Sequence, residues 1–157
     1  MDKKKVIAFI DTNVFVVDLR YKDDKKFKIN RDFLDFVASG NCKGITSIYN
    51  LLEVCGILSF NLNEQQLREL YYFLPEKYKI DIMPSRSIDS YLPTVYTREI
   101  MDLMYGKASF GDALIADFVK KKFSADMIFV SWDADHFKHL LPIIAHTPEE
   151  FLKHLQS

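Results

Sequence analysis

Val6-Ile7-Ala8-Phe9-Ile10 run directly into Asp11-Thr12-Asn13. Five successive apolar residues read as a strand covered on both faces, because a strand with one wet face alternates. An acid, a hydroxyl and an amide then end the run with residues that favour turns and helix starts. A doubly covered strand belongs in a parallel sheet with helices on either side, and such sheets hold ligands beyond the carboxyl ends of their strands. Asp11 stands at that end. Taken locally it reads equally well as a helix cap.

The 157 residues fit one domain, spanning 1–157, with enough chain for a sizeable core. A hydrophobic share of 48% with 27% charged residues argues against a disordered chain. No apolar run is long enough to span a bilayer. Residues 6–10 are also too short for a signal-peptide core, despite the basic start Lys3-Lys4-Lys5. Cys42 and Cys55 lack a CxxC spacing and are expected as reduced, buried thiols in a cytoplasmic protein. The net charge of −1 gives no global pull on a polyanion, so any nucleic-acid site must be a local patch.

Helical and strand patterns alternate along the rest of the chain. A short helix over 14–18 leads into a charged loop, 20–28, where Lys22, Lys25, Lys26 and Lys28 oppose Asp23 and Asp24; it reads as a solvated, mobile loop. Lys25 and Lys28 are its candidate substrate contacts. Asn30 is expected to cap a helix ending at Ser39, with Phe33, Leu34, Phe36 and Val37 inward and Gly40-Asn41 as its stop. A strand at 44–47 precedes a helix over 47–60, capped by Ser47. Ile48, Leu51, Leu52, Cys55 and Leu58 form its core stripe, and Val54 and Ile57 extend the apolar surface. Glu53 lies off that stripe, the one ionisable carboxylate or base between Ile45 and Asn63.

Asn63 starts a helix over 64–74 that Pro75 ends, and a third strand covers 80–83. Residues 85–106 suggest one or two helices broken near Pro93. The helix opening at Ser109 carries Asp112 in its first turn, where the dipole favours an anion. Asp117 is about 140° further round and does not share that face; it lies behind the site or at the surface. A strand at 127–131 runs again into acids, Asp133 and Asp135. A last strand at 143–145 precedes Thr147-Pro148-Glu149-Glu150, a capping box with proline at the first helical position.

Right-handed crossovers between parallel strands bring strand ends and helix starts to one rim of the sheet. Asp11, Asp133, Asp112 and Glu53 all fall there. Four carboxylates in a small volume repel unless a cation intervenes. Oxygen-only ligands select hard ions, so Mg2+ or Mn2+ is expected. Zinc is not, because His136 and His139 have no cysteine near them. The chain has neither GxxxxGK[ST] nor GxGxxG, and no Ser-His or Cys-His pair offers a nucleophile. A hard-metal cluster that activates water suits phosphodiester hydrolysis.

Four blocks carry a resemblance: Ile10-Asp11-Thr12-Asn13-Val14, Asn50-Leu51-Leu52-Glu53-Val54-Cys55-Gly56, Gly111-Asp112-Ala113-Leu114-Ile115-Ala116, and Val130-Ser131-Trp132-Asp133-Ala134-Asp135-His136-Phe137. In order and spacing they resemble the PIN-domain ribonucleases, in particular the VapC-like toxin branch. The resemblance implies a three-layer α/β/α sandwich around a mainly parallel sheet, and Mg2+- or Mn2+-dependent endonucleolytic cleavage of RNA. It implies Asp11, Glu53, Asp112 and Asp133 as metal-binding acids, with Asp135 an auxiliary acid at the pocket edge. Asn13 and Ser131 become supports that orient Asp11 and Asp133. It further implies a homodimer and an antitoxin protein as partner. The loop 20–28 and the segment 85–106 fix no subgroup.

Three rivals stand beside this reading. A haloacid-dehalogenase-like phosphatase begins strand one similarly but wants an acid where this chain has Asn13. A response-regulator receiver needs a set of acids and a late lysine that this chain does not supply. A catalytically idle RNA-binding or scaffold module would keep the same acids without turnover.

Overall fold

The computed structural model of the chain describes residues 5–156, and the basic start before Lys5 lies outside the described residues. Its sheet contains β1 (Ile7–Ile10), β2 (Lys43–Ser47), β3 (Asp81–Met83), β4 (Met127–Val130) and β5 (Ala145–His146). Their spatial order is β3-β2-β1-β4-β5, and every pairing is parallel. β1 is central, with Phe9 opposite Ile45 on one side and Phe129 on the other. The connecting helices are α1 (Thr12–Arg20), α2 (Phe27–Ala38), α3 (Ile48–Leu58), α4 (Glu64–Tyr78), α5 (Thr97–Tyr105), α6 (Phe110–Lys122), α7 (Ala134–Leu140) and α8 (Pro148–Gln156).

The pleat sends alternate strand residues into two cores. Ala8, Ile10, Ile128 and Val130 meet Phe15, Phe33, Leu51, Leu74 and Phe151 from α1, α2, α3, α4 and α8. On the other face Phe9, Met127 and Phe129 meet Ile115, Phe118 and Val119 of α6 and Phe137 of α7. This is the three-layer α/β/α sandwich expected from the alternation, and it explains why β1 and β4 are apolar throughout. Cys42 and Cys55 are free and buried, and burial pushes both thiols up to about 11. Among the described residues no helix is long and apolar enough to cross a membrane.

Several local expectations give way to tertiary contacts. Asn30 does not cap α2; it sits inside the helix, wholly buried. Its amide donates to the Val14 carbonyl at 2.9 Å, and its Oδ1 accepts from Trp132 Nε1 at 2.8 Å. The stretch before α2 is folded into turns. Asp24 N–H donates to the Tyr21 carbonyl, Phe27 N–H to the Asp24 carbonyl, and Lys26 N–H to Asp24 Oδ1 at 2.8 Å. On α3 the expected stripe residues Ile48, Leu51, Cys55 and Leu58 are buried and Val54 joins them, while Leu52 and Ile57 are exposed. A 3-10 turn, Ser59–Asn61, replaces that helix's last residues.

Helix α4 passes through Pro75 and stops only at Lys79, which adopts the left-handed conformation (φ 54°). Proline removes one helical hydrogen bond, but Leu74 and Tyr78 on either side of it are both buried. The Tyr78 hydroxyl donates to Asp18 Oδ2 at 2.6 Å, and Arg31 Nη1 donates to both Asp18 oxygens at 2.8 and 3.0 Å. One buried carboxylate thus ties together α1, α2 and α4. In the 85–106 segment the described residues form a single helix, α5, after an irregular stretch.

Close approach at Gly44 in β2 lets α2 reach the sheet. A Cβ there would lie 2.5 Å from Val37 Cγ1 and 2.7 Å from Ile80 Cγ2, both deep in the core. Gly44→Ala is expected to cost about 1–3 kcal/mol through overpacking, read as a lower urea midpoint.

Candidate active site

Asp11 closes β1 and precedes α1, but its carboxylate makes no capping bond to that helix. It is buried at 5% exposure and is held from the side. Ser131, just past β4, donates its hydroxyl to Asp11 Oδ2 at 2.7 Å. Asn50 of α3 donates Nδ2 to Asp11 Oδ1 at 3.1 Å and to Thr12 Oγ1 at 3.0 Å. Asn50 is itself aimed by the α3 capping box, in which its backbone N–H donates to Ser47 Oγ at 3.2 Å and its Oδ1 accepts the Ser47 N–H at 3.4 Å. A reciprocal cap that would ordinarily only finish a helix therefore also fixes the acid.

Asn13 forms the second clamp. Its Nδ2 donates to Ser131 Oγ at 3.1 Å and to Asp133 Oδ2 at 3.4 Å, while its Oδ1 accepts the Trp132 N–H at 3.1 Å. Asp133 N–H donates to Ser131 Oγ at 3.0 Å. One hydroxyl thus links Asp11, Asn13 and the turn that carries Asp133. With all its amide contacts made in this way, Asn13 has no part to play as the second acid of a phosphatase.

Glu53 and Asp112 complete the rim. Glu53 comes from the middle of α3, Asp112 from the first turn of α6, where Ser109 Oγ accepts the Asp112 N–H at 3.2 Å. Glu53 Oε2 packs on Gly111, where a Cβ would lie only 2.7 Å away. His136 Nε2 stands 3.6 Å from Asp112 Oδ2.

The charges feel one another. Burial, with the Glu53 and Asp112 charges adding to it, pushes the Asp11 carboxyl up to about 7 against the pull of Ser131 and of the Thr12 N–H. Burial likewise raises Glu53, with Asp112 adding to the rise and Thr12 opposing it. Asp112 is raised by burial and by Asp133, and His136 draws it down. The donor set is oxygen-rich and over-supplied with negative charge, which fits a hard divalent cation in chemistry. Its spacing is open: among the described residues no three His, Cys, Asp or Glu are close enough to hold an ion as they stand.

Asp135 is not drawn into this group. Its side chain is fully exposed and pairs with Lys138 at 3.7 Å. Asp117 is buried behind α6 and accepts from Lys121 Nζ at 2.9 Å; Lys121 also pairs with Glu99 at 3.1 Å, joining α6 to α5. Sequence reasoning did not assign roles to Asn50 or Thr12; it read Gly111 as a place of close helix approach and weighed His136 only as a zinc ligand. The Ser47–Asn50 spacing of a capping box was the available signal for Asn50, since it placed a buried amide one turn before Glu53.

Two outcomes follow from this packing. In metal-free buffer Asp11 holds a proton in the fold that it would lose on unfolding, so its raised pKa costs nothing below about pH 4 and its full penalty above about pH 7. Asp11→Asn is therefore expected to raise the melting temperature at pH 8 but not at pH 4. The gain is at most about 4 kcal/mol by linkage, less about 1 kcal/mol for the weakened Ser131 contact. Gly111→Ala is expected to leave stability within about 1 kcal/mol of wild type, because the helix gains what Glu53 loses. Its visible effect is a displaced Glu53 carboxylate, checked in a crystal structure of the variant.

No family model matches the chain, and neither does any curated protein. Solved structures share its fold. One is VapBC2 from Rickettsia felis bound to a DNA fragment from their promoter, 16% identical, with a TM-score of 0.60, covering 90% of this chain and 98% of that one. Another is FitAcB from Neisseria gonorrhoeae, also 16% identical, with a TM-score of 0.58 and coverage of 91% and 98%. At that identity the likeness is one of fold. The resemblance to the VapC-like PIN-domain ribonucleases is corrected here. No family model supports it, and the structures that share the fold are antitoxin–toxin complexes, one of them on DNA. The four acidic blocks are short and rich in residues that any strand end or helix start favours, which is why they resemble a family without establishing membership.

Proposed function

We propose that the chain is a divalent-metal-dependent endoribonuclease and that it works as one member of a toxin–antitoxin pair. The observation that carries the chemistry is the buried Asp11 carboxylate, held by Ser131 and Asn50 and facing the charges of Glu53 and Asp112. The pairing with an antitoxin protein is supported by the complexes in which the shared fold occurs. Asp11, Glu53, Asp112 and Asp133 would hold Mg2+ or Mn2+, which supplies Lewis acidity toward a phosphodiester and a water.

The chain's own residues do the rest. Ser131 and Asn50 present both Asp11 oxygens in fixed directions, and Asn13 holds Asp133 beside them. Burial holds the Asp11 carboxyl up at about 7, and a bound cation would favour its ionised form. Glu53 and Asp112 are less buried than Asp11, so an ion could reach them from solvent. Their open spacing equally favours a second reading, an RNA-binding module without turnover.

One assay separates the readings. Single-stranded RNA is expected to be cut with Mg2+ or Mn2+ and spared with EDTA. Asp11→Asn and Asp112→Asn are each expected to lose at least ~100-fold in rate, since removing a ligand exceeds the 10–100-fold cost of losing an outer partner. RNA bound but never cut favours the idle module, and cleavage that survives EDTA removes the metal mechanism.

A further inference from the structure

We propose that Lys26 and Trp132 form an RNA-positioning subsite on the Asp133 side of the acid cluster, in which the Lys26 ammonium takes a backbone phosphate; this rests on the nuclease reading above. An acidic rim on a chain of net charge −1 repels the polyanion it has to bind. A cation must stand at the rim to offset that repulsion. Several cations among the described residues are committed to ion pairs, whereas Lys22, Lys25 and Lys28 of the same stretch are, like Lys26, outside them. Lys138 pairs with Asp135, Lys121 with Asp117 and Glu99, and Arg31 with Asp18 and Asp35. Lys26 has no carboxylate within pairing distance among them, and its ammonium lies 5.3 Å from the centre of the Trp132 ring.

Both members of the pair are fixed from below. Trp132 is the residue before Asp133, and its backbone N–H is held by Asn13, the same side chain that clamps Asp133. Its indole N–H donates to Asn30, whose amide is anchored on the Val14 carbonyl. Asn30, wholly buried inside α2, uses both amide groups in this chain of bonds, and the ring it holds carries an ammonium. Lys26 is set in turn by the bond from its N–H to Asp24 Oδ1 and by its carbonyl, which accepts the Asn30 N–H at 2.9 Å. A ring face accepts no full hydrogen bonds from the ammonium, so Lys26 Nζ keeps donor capacity for a phosphate. Lys26 and Trp132 are thus positioning residues for the strand, while the acids act on the bond.

Trp132 is the chain's one tryptophan, so its fluorescence reports on this spot without turnover. Single-stranded RNA titrated into the full chain in EDTA is expected to change that fluorescence as the phosphate draws Lys26 off the ring. Lys26→Gln is expected to flatten the log–log salt dependence of binding by about 0.7, the slope carried by one phosphate on a single strand. In Mg2+ it should raise KM and leave kcat near wild type, and Lys26→Arg should restore both. If Lys26→Gln lowers only the melting temperature and leaves salt slope and KM unchanged, the pair is a loop contact and the subsite is overturned while the nuclease reading stands. RNA that binds with the expected slope but is never cut keeps the subsite and removes the nuclease. A wild-type chain that neither binds nor cuts RNA removes both.

Discussion

A carboxylate taken out of water at the end of the central strand sets the terms for the whole rim. An uncompensated charge there would cost several kcal/mol, and the fold answers with donors from two other elements, Ser131 after β4 and Asn50 in α3. Each donor is itself held by a structural bond. Ser131 N–H is tied to the His146 carbonyl of β5, and Asn50 to Ser47 at the end of β2. The positions of β2, β4 and β5 around β1 are therefore read out directly in how Asp11 sits. Compensation is incomplete, since the carboxyl is still pushed up to about 7. That residual cost is what a cation or a proton relieves.

Asn13 shows how much this rim relies on few side chains. One amide reaches Ser131, Asp133 and the Trp132 backbone, so the end of β1 and the turn after β4 move as a unit. Glu53 and Asp112 have fewer partners, Thr12 for the one and His136 and Ser109 for the other, and come from two helices that meet at Gly111. The site thus has a rigid half, Asp11 and Asp133 with their polar web, and an adjustable half. An arrangement of that kind keeps like charges apart when nothing neutralises them.

Much of the architecture can be read from the chain because its strongest signals are local. Val6 to Ile10 and Met127 to Val130 could only be covered strands, and the alternation with helices forces a parallel order. The acids at strand ends and helix starts gather for the same topological reason. What escapes sequence reasoning depends on contacts far along the chain. Asn30 looks like a cap and is a buried partner of Trp132; Pro75 looks like a stop and is bridged by the burial of Leu74 and Tyr78. Asp135 sits in an acidic block with Asp133 and both are exposed, yet Asn13 holds Asp133 at the rim while Asp135, two positions on in α7, pairs with Lys138 instead. Family membership escapes for a different reason: short acidic motifs at strand ends follow from topology as much as from descent.

The borders of the sheet are worth following outward. β3 offers three residues and β5 two, so neither margin exposes a long ladder of unpaired amides and carbonyls. Edges this brief give a second polypeptide little backbone to zip onto. Strand addition is thereby a poor route to this molecule, and side chains outside the sheet offer the larger recognition surface.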